Sequence, residues 1–251
     1  MPTNYRNAPR GISNRSAMRV LFALALLVSH AGVAQAESEP ATGAQEPSWE
    51  LALHRADDGF EWTVYEEAQP VPGRPAFRVE ARFEAAPRIA ADTLMASMSE
   101  ETKTTSGERR RLLERTPDGA LVHTYIDLPF MFSDRELAIR IRHVADRETG
   151  IHRISWRDAN EHLSPPDDGV LRLTTEGYWE FRPLSPHGTQ AVYMTRAEIG
   201  GSLPKAVGDR LLRGQAVDSV KRLRRLLAER QTMNVAAPPP EGLAPQSSEA
   251  R

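Results

Sequence analysis

The chain has 251 residues, no cysteine, and 32 Lys+Arg against 34 Asp+Glu, a net charge of −2. Without cysteine there are no disulfides, no thiol chemistry, no lipidated cysteine and no cysteine-type zinc site. The charge balance argues against a nucleic-acid binder, whose domain is normally basic. A hydrophobic content of 40% is enough for a substantial core.

Arg6, Arg10, Arg15 and Arg19 precede the apolar run Val20–Val28, and Ala34-Gln35-Ala36 follows with small residues. This order predicts a secretory signal peptide over 1–36, cleaved after Ala36, and a periplasmic or secreted protein. The run is shorter than the ~20 apolar residues that a membrane-spanning helix needs. Met18-Arg19 is an alternative start. Removal of the signal leaves 28 basic against 34 acidic residues, a net charge of −6. Residues 37–47 read as a flexible leader and 233–251, with Pro238-Pro239-Pro240, as a disordered tail. One domain over 48–232 remains.

In chain order, Ser48–Arg55 reads as a short helix, followed by the turn signal Asp57-Asp58-Gly59. Phe60–Glu66 and Ala76–Phe83 read as paired strands. Pro87 opens a helix through Met98, with Ile89, Leu94, Met95 and Met98 on its apolar side. Glu108–Arg115 and Leu121–Leu128 flank Thr116-Pro117-Asp118-Gly119 as a hairpin. Over Glu136–Val144, Leu137, Ile139 and Ile141 alternate with Glu136, Arg140 and Arg142, the pattern of a half-buried strand. Ile151–Arg157, Val170–Glu176, Tyr178–Arg182 and Gln190–Ile199 continue as strands. Their short links predict an antiparallel sheet.

The period changes after Ser202. Leu203, Val207, Leu211, Ala216, Val220, Leu223 and Leu227 recur every three to five residues up to about Gln231, as in an amphipathic helix. Such a helix runs about 45 Å, and Gly208 and Gly214 are where it would bend or break. Within it, Lys221-Arg222-Leu223-Arg224-Arg225 reads as a solvated face, with contact to anionic lipid the alternative. The expected class is α+β: a twisted antiparallel sheet gripping one long helix, with an apolar cavity wherever the two do not meet.

Specific residues add to this. Leu128-Pro129-Phe130 through Ser133-Asp134-Arg135-Glu136, Gly169-Val170-Leu171-Arg172, Tyr178-Trp179-Glu180-Phe181-Arg182-Pro183 and Glu198-Ile199-Gly200-Gly201-Ser202-Leu203-Pro204-Lys205 stand in this order. Together they resemble the START (StAR-related lipid-transfer) family of helix-grip domains, over roughly Trp49 to Gln231. Each also has a local reading. Gly200-Gly201 allows a sharp reversal, Ser202 caps the helix, Pro204 fits its first turn, and Asp134-Arg135 pins a loop to a strand end.

The resemblance implies a strongly curved helix-grip sheet and one hydrophobic ligand, a sterol, phospholipid, acyl chain or polyketide-like compound, under the last helix. It implies no cofactor. Leu137, Ile139, Ile141, Ile154 and Trp156 are candidates for the sheet wall, and Val207 and Leu211 for the helix wall. For each of them an ordinary core position is the competing reading. His123, Tyr125 and Asp127 share one strand face and reach a ligand headgroup if that face points inward.

No Gly-x-Ser-x-Gly elbow, phosphate loop or His-Glu-x-x-His occurs. His152, Glu161 and His162 stand on separate strand and loop positions, so no metal site is expected there. The reading is therefore a non-enzymatic lipid-binding monomer with transient membrane-surface contact and no nucleic-acid partner. The alternative is an enzyme on the same fold, polyketide cyclase/aromatase-like or hydrolytic, using His123, Tyr125 or Asp127 as acid/base groups. A cavity-poor interaction protein is the third possibility.

Overall fold

The computed structural model describes residues 47–103, 108–127, 133–184, 188–198 and 205–236. The predicted signal peptide, most of the leader and tail, and the Gly200–Pro204 junction lie outside the described residues.

The first departure from expectation comes at once. Trp49–Asp57 is strand β1, not a helix, and it pairs antiparallel with β2 (Phe60–Glu67). Glu50, Leu51, Ala52 and Leu53 are good helix formers, but cross-strand pairing outweighs that weak preference. The strand lies at the edge of the sheet and is largely exposed, so it has no apolar stripe to reveal it. Asp58 and Gly59 close the hairpin with φ of 49° and 71°, the positive pair that a type I′ loop requires.

β3 (Ala76–Phe83) and helix α1 (Pro87–Met98) have the predicted bounds. Ile89, however, is exposed, while Ala90, Ala91 and Leu94 are buried. Then follow β4 (Thr102–Lys103), β5 (Glu108–Thr116), β6 (Gly119–Ile126), β7 (Asp134–Ala145) and β8 (His152–Asp158). After β9 (Val170–Arg172), β10 (Thr175–Leu184) and β11 (Gly188–Ala197) form the last hairpin. The sheet order is β1-β2-β3-β11-β10-β8-β7-β6-β5-β4.

One pair breaks the antiparallel rule. The predicted strand Val170–Glu176 divides: Val170–Arg172 runs parallel to Asp134–Glu136, and Thr175 begins β10. β8 and β9 thus share one edge of β7, β8 along its second half and β9 along its start. Asn160 bridges the gap between them. Its Oδ1 accepts from the Ala138 amide at 2.8 Å, and its Nδ2 donates to the Leu173 carbonyl at 2.7 Å. Both backbone groups would otherwise lose their partners where the ladder is interrupted.

Helix α2 (Lys205–Ala236) runs unbroken through Gly208 and Gly214. Packing of its apolar side onto the sheet outweighs the roughly 1 kcal/mol that each glycine costs relative to alanine. Leu212, Ala216, Val220, Leu223 and Leu227 are the buried stripe, spaced four, four, three and four residues apart. The predicted Leu211 is only half-buried. Leu212 takes its place, which restores the regular helical spacing. Among the described residues no helix is long and apolar enough to cross a membrane.

The core lies between the inner face of the sheet and the two helices. Val64, Val79, Ile154, Phe181 and Tyr193 meet Ala90, Leu94 and the α2 stripe there. A small second cluster, Leu121, Ala138 and Ala159, sits on the opposite face with Leu113 and Leu163 beside it. The hairpin β1–β2 is clasped by α2. Lys221 and Arg224 lie over the Trp62 and Phe60 rings at 4.4 and 4.9 Å, and Arg224 donates to the Asp58 carbonyl at 2.8 Å. Lys221 also stands 3.6 Å from the Asp57 carboxylate. Half of the basic cluster therefore covers aromatic rings instead of facing bulk solvent.

Candidate ligand-binding cavity

β10 and β11 put aromatic residues on the inner face at matched register, Trp179 opposite Tyr193. β8 adds Trp156, so three large rings meet, with Trp179–Tyr193 and Trp156–Tyr193 centroids at 4.7 and 5.7 Å. They form the floor of a cavity of about 530 Å³. Leu94 and Met98 of α1 close one wall, and Leu223 and Leu226 of α2 another. Its size lies in the range of small-molecule sites; its floor and walls are apolar, while eight of its fifteen lining residues are polar or charged.

One of those polar groups sits in the floor. Tyr193 is buried, and its hydroxyl, with Thr195 and Ser219 for neighbours, closes no ordinary hydrogen bond among the described residues. Burial pushes its pKa up to about 12, so it is a neutral donor at any physiological pH. At the mouth stand Glu108, Arg110, Asp218, Arg222 and Arg225.

A second hollow, about 590 Å³, lies at the β5–β6 turn over β7 and β8. Ala120, Ile141 and Trp156 supply its apolar lining, with Arg140, Arg142 and Arg157 around them. Trp156 borders both hollows.

The predicted site residues divide accordingly. Trp156 lines both hollows and Ile141 the second. Leu137, Ile139 and Ile154 point inward but are packed into the core and line neither. Leu211 is half-buried and lines neither, and the side chain of Val207 lies outside the described residues. Trp179, Tyr193, Met98 and Leu226 were not predicted as site residues. A signal existed on α2: Gln215, Ser219, Arg222 and Leu226 recur at helical spacing beside the apolar stripe.

His123 and Tyr125 do not face the cavity. Along β6 the core receives Ala120, Val122 and Ile126, and the alternate residues Leu121, His123 and Tyr125 point to the other face. There the Tyr125 hydroxyl donates to Asp134 Oδ2 at 2.6 Å, which pushes its pKa up to about 12. Arg109 stacks over the same ring at 4.4 Å. His123 Nε2 lies 3.3 Å from Glu136 Oε2, while Arg172 donates twice to Glu136 Oε1 at 3.1 Å. These contacts tie β6, β7 and β9 together. Asp127 is exposed at the end of β6. The buried Arg135 donates to the Ser133 and Asp134 carbonyls, so it holds the entry to β7 through the backbone.

Elsewhere His143 Nε2 and His152 Nδ1 stand 3.0 Å apart with stacked rings. His152 opens β8 and His162 lies in the short turn beyond its far end, and no metal-holding group of three or more His, Cys, Asp or Glu occurs among the described residues. Burial, then the neighbouring His143, lowers the His152 pKa below 6.5; on α1, Asp92 opposes the shift and Arg88 adds to it. A depressed folded pKa means that the unfolded chain takes the proton more readily. Stability is then fully present above about pH 6.5 and lost as pH falls through the folded value. His123, also lowered chiefly by burial, acts in the same direction. The urea midpoint should therefore fall between roughly pH 7 and pH 5, and His152→Gln should flatten part of that slope. An unchanged slope in the variant would contradict the assignment.

No family model matches the chain, and no curated protein matches it in sequence. Solved structures do match. A STAR-related lipid transfer protein from Xanthomonas axonopodis superposes with a TM-score of 0.58 at 21% identity, over 72% of this chain and 98% of that one. Human StAR-related lipid transfer protein 5 gives 0.58 at 17% identity, over 75% and 90%. Human STARD10 gives 0.58 at 14% identity, over 74% and 76%. The fold is the START helix-grip fold. In START terms, α2 is the gripped helix and the cavity lies on the inner face of the curved sheet, against α1 and α2.

Proposed function

We propose that the protein is an exported carrier that binds one hydrophobic molecule in the 530 Å³ cavity between the sheet and α2. The observation that carries this reading is the cavity itself: a floor of Trp156, Trp179 and Tyr193 under aliphatic walls from both helices. Beside these packed rings the sheet and the two helices leave a partly open hollow instead of closing on each other. The lipid-transfer names of the structural neighbours support a hydrophobic occupant. The buried Tyr193 hydroxyl, beside Thr195 and Ser219, puts a polar group in the floor for a ligand to meet.

Binding without catalysis is the reading favoured over an enzyme on the same fold. The acid/base candidates His123 and Tyr125 stand on the face away from the cavity and are engaged with Glu136 and Asp134. The predicted signal peptide over 1–36 supports a location outside the cytoplasm. Without a cysteine to lipidate, such a domain is free to shuttle across an aqueous gap. Loading requires α2 or a neighbouring loop to move, since the floor lies beneath the helices.

The test is to express the full chain with its own leader, purify it without detergent, and combine native mass spectrometry with lipid extraction. One ligand per protein, recovered from an extracytoplasmic fraction, is the expected result. An empty protein whose α2 amides resist hydrogen exchange as strongly as the core strands would overturn the carrier reading.

A further inference from the structure

Resting on that binding reading, we infer that the ligand is an anionic amphiphile: its acidic head is held by Arg222 and Arg225 at the cavity mouth, and its apolar body lies on the Trp156–Trp179–Tyr193 floor. The charges at the mouth are not equivalent. Arg110 is committed, its guanidinium 2.7 Å from the Glu108 carboxylate and donating to the Ser97 carbonyl at 2.9 Å. Arg222 converges on the same serine but finds only a neutral hydroxyl, Ser97 Oγ at 3.2 Å. The Arg225 guanidinium makes no hydrogen bond or ion pair with the described residues. Two cations thus line the rim of an apolar cavity with no carboxylate in contact.

Both guanidiniums are exposed at the rim, so their free donors face the solvent by which a ligand enters. Burial, then the adjacent Arg110, lowers the Arg222 pKa, while Glu108 and Glu100 oppose the shift. Asp218, the other acid in the lining, is pushed up by its own burial against the opposing pull of Lys221 and Arg225. A carboxylate or phosphate oxygen at the mouth would supply acceptors for these planar donor forks. The same molecule needs an apolar body, because the walls beneath the rim are Leu94, Met98, Leu223 and Leu226.

The experiment compares dodecanoate with dodecan-1-ol, matched in chain and differing in head charge, with inorganic phosphate as the headgroup alone. Tryptophan fluorescence reads binding, since Trp156 and Trp179 border the cavity. Dodecanoate should bind at least about tenfold more tightly than the alcohol, the scale of one charge-assisted hydrogen bond. Arg222→Gln and Arg225→Gln should each shrink that preference by weakening dodecanoate more than the alcohol. Equal affinity for acid and alcohol, or a preference that survives both substitutions, overturns the anionic head and leaves the carrier reading standing. Phosphate binding as tightly as dodecanoate would make the rim a plain anion site and overturn the amphiphile. Binding of neither chain molecule would overturn the carrier reading as well.

Discussion

Phe181→Ala should lower the unfolding free energy by about 3–5 kcal/mol, a third or more of what holds an ordinary domain together. The ring is wholly buried at the centre of the sheet, on β10 between β8 and β11. It stacks on Trp179 with centroids 5.6 Å apart and planes 13° apart. Strand backbone on both sides limits how far the surroundings can collapse, so most of the deleted volume should remain as a void. In urea titrations the midpoint should drop with an unchanged slope. Phe181 lines neither hollow but stacks on Trp179 of the floor, so ligand binding by the folded fraction should weaken as well. A loss below about 1 kcal/mol would mean that the ring is not packed as described.

Gly177→Ala should damage stability and binding together. A Cβ at this position would lie 2.3 Å from the Met194 carbonyl oxygen and 2.4 Å from Trp156 Cζ2. Neither neighbour yields easily. Met194 belongs to the β10–β11 ladder, so moving its carbonyl opens the hairpin. Trp156 is buried, donates Nε1–H to Thr175 Oγ1 at 3.3 Å and stacks on Tyr193. Overpacking of this kind costs about 1–3 kcal/mol, and displacement of Trp156 moves the cavity floor with it. The expected outcome is a lowered urea midpoint and weaker ligand uptake at a temperature where the protein is still folded. If Gly177→Ala bound ligand normally, the floor would not be the binding surface.

The comparison of pattern and structure is most instructive on α2. The long amphipathic period was plain in the residues, and so was the approximate span. The register was not: Leu211 and Leu212 are adjacent apolar residues, and only contact with the sheet selects Leu212 for the core. The basic cluster was legible as charge but not as geometry. Lys221 and Arg224 turn to β2 and its aromatic rings, while Arg222 and Arg225 line the cavity. Residues a few positions apart on one helix thus meet different surfaces, because 100° of rotation per residue separates them.

Strands behaved similarly. The alternation of β7 placed Leu137, Ile139 and Ile141 on the inner face, as it did in the sequence. For His123 and Tyr125 the same alternation left the direction open, since polar residues occur on both faces. The neighbours Val122 and Ile126, committed to the core, turn them outward. β1 was misread because an exposed edge strand carries no apolar alternation, and its pairing with β2 is visible only in three dimensions.

By itself the sequence determined the element types with strong periodicity, the antiparallel tendency and the α+β helix-grip class. These follow from local physics, the 2.0 and 3.6 residue periods and turn chemistry, which every segment carries within itself. The tertiary structure alone decided that Val170–Arg172 runs parallel to β7, which face of β6 points inward, and which residues enclose the cavity. Trp156, Trp179 and Tyr193 become one floor only when three strands fall into register. The volume left above them depends on how two helices pack across that floor. Voids are differences between packed surfaces, and no single segment encodes them.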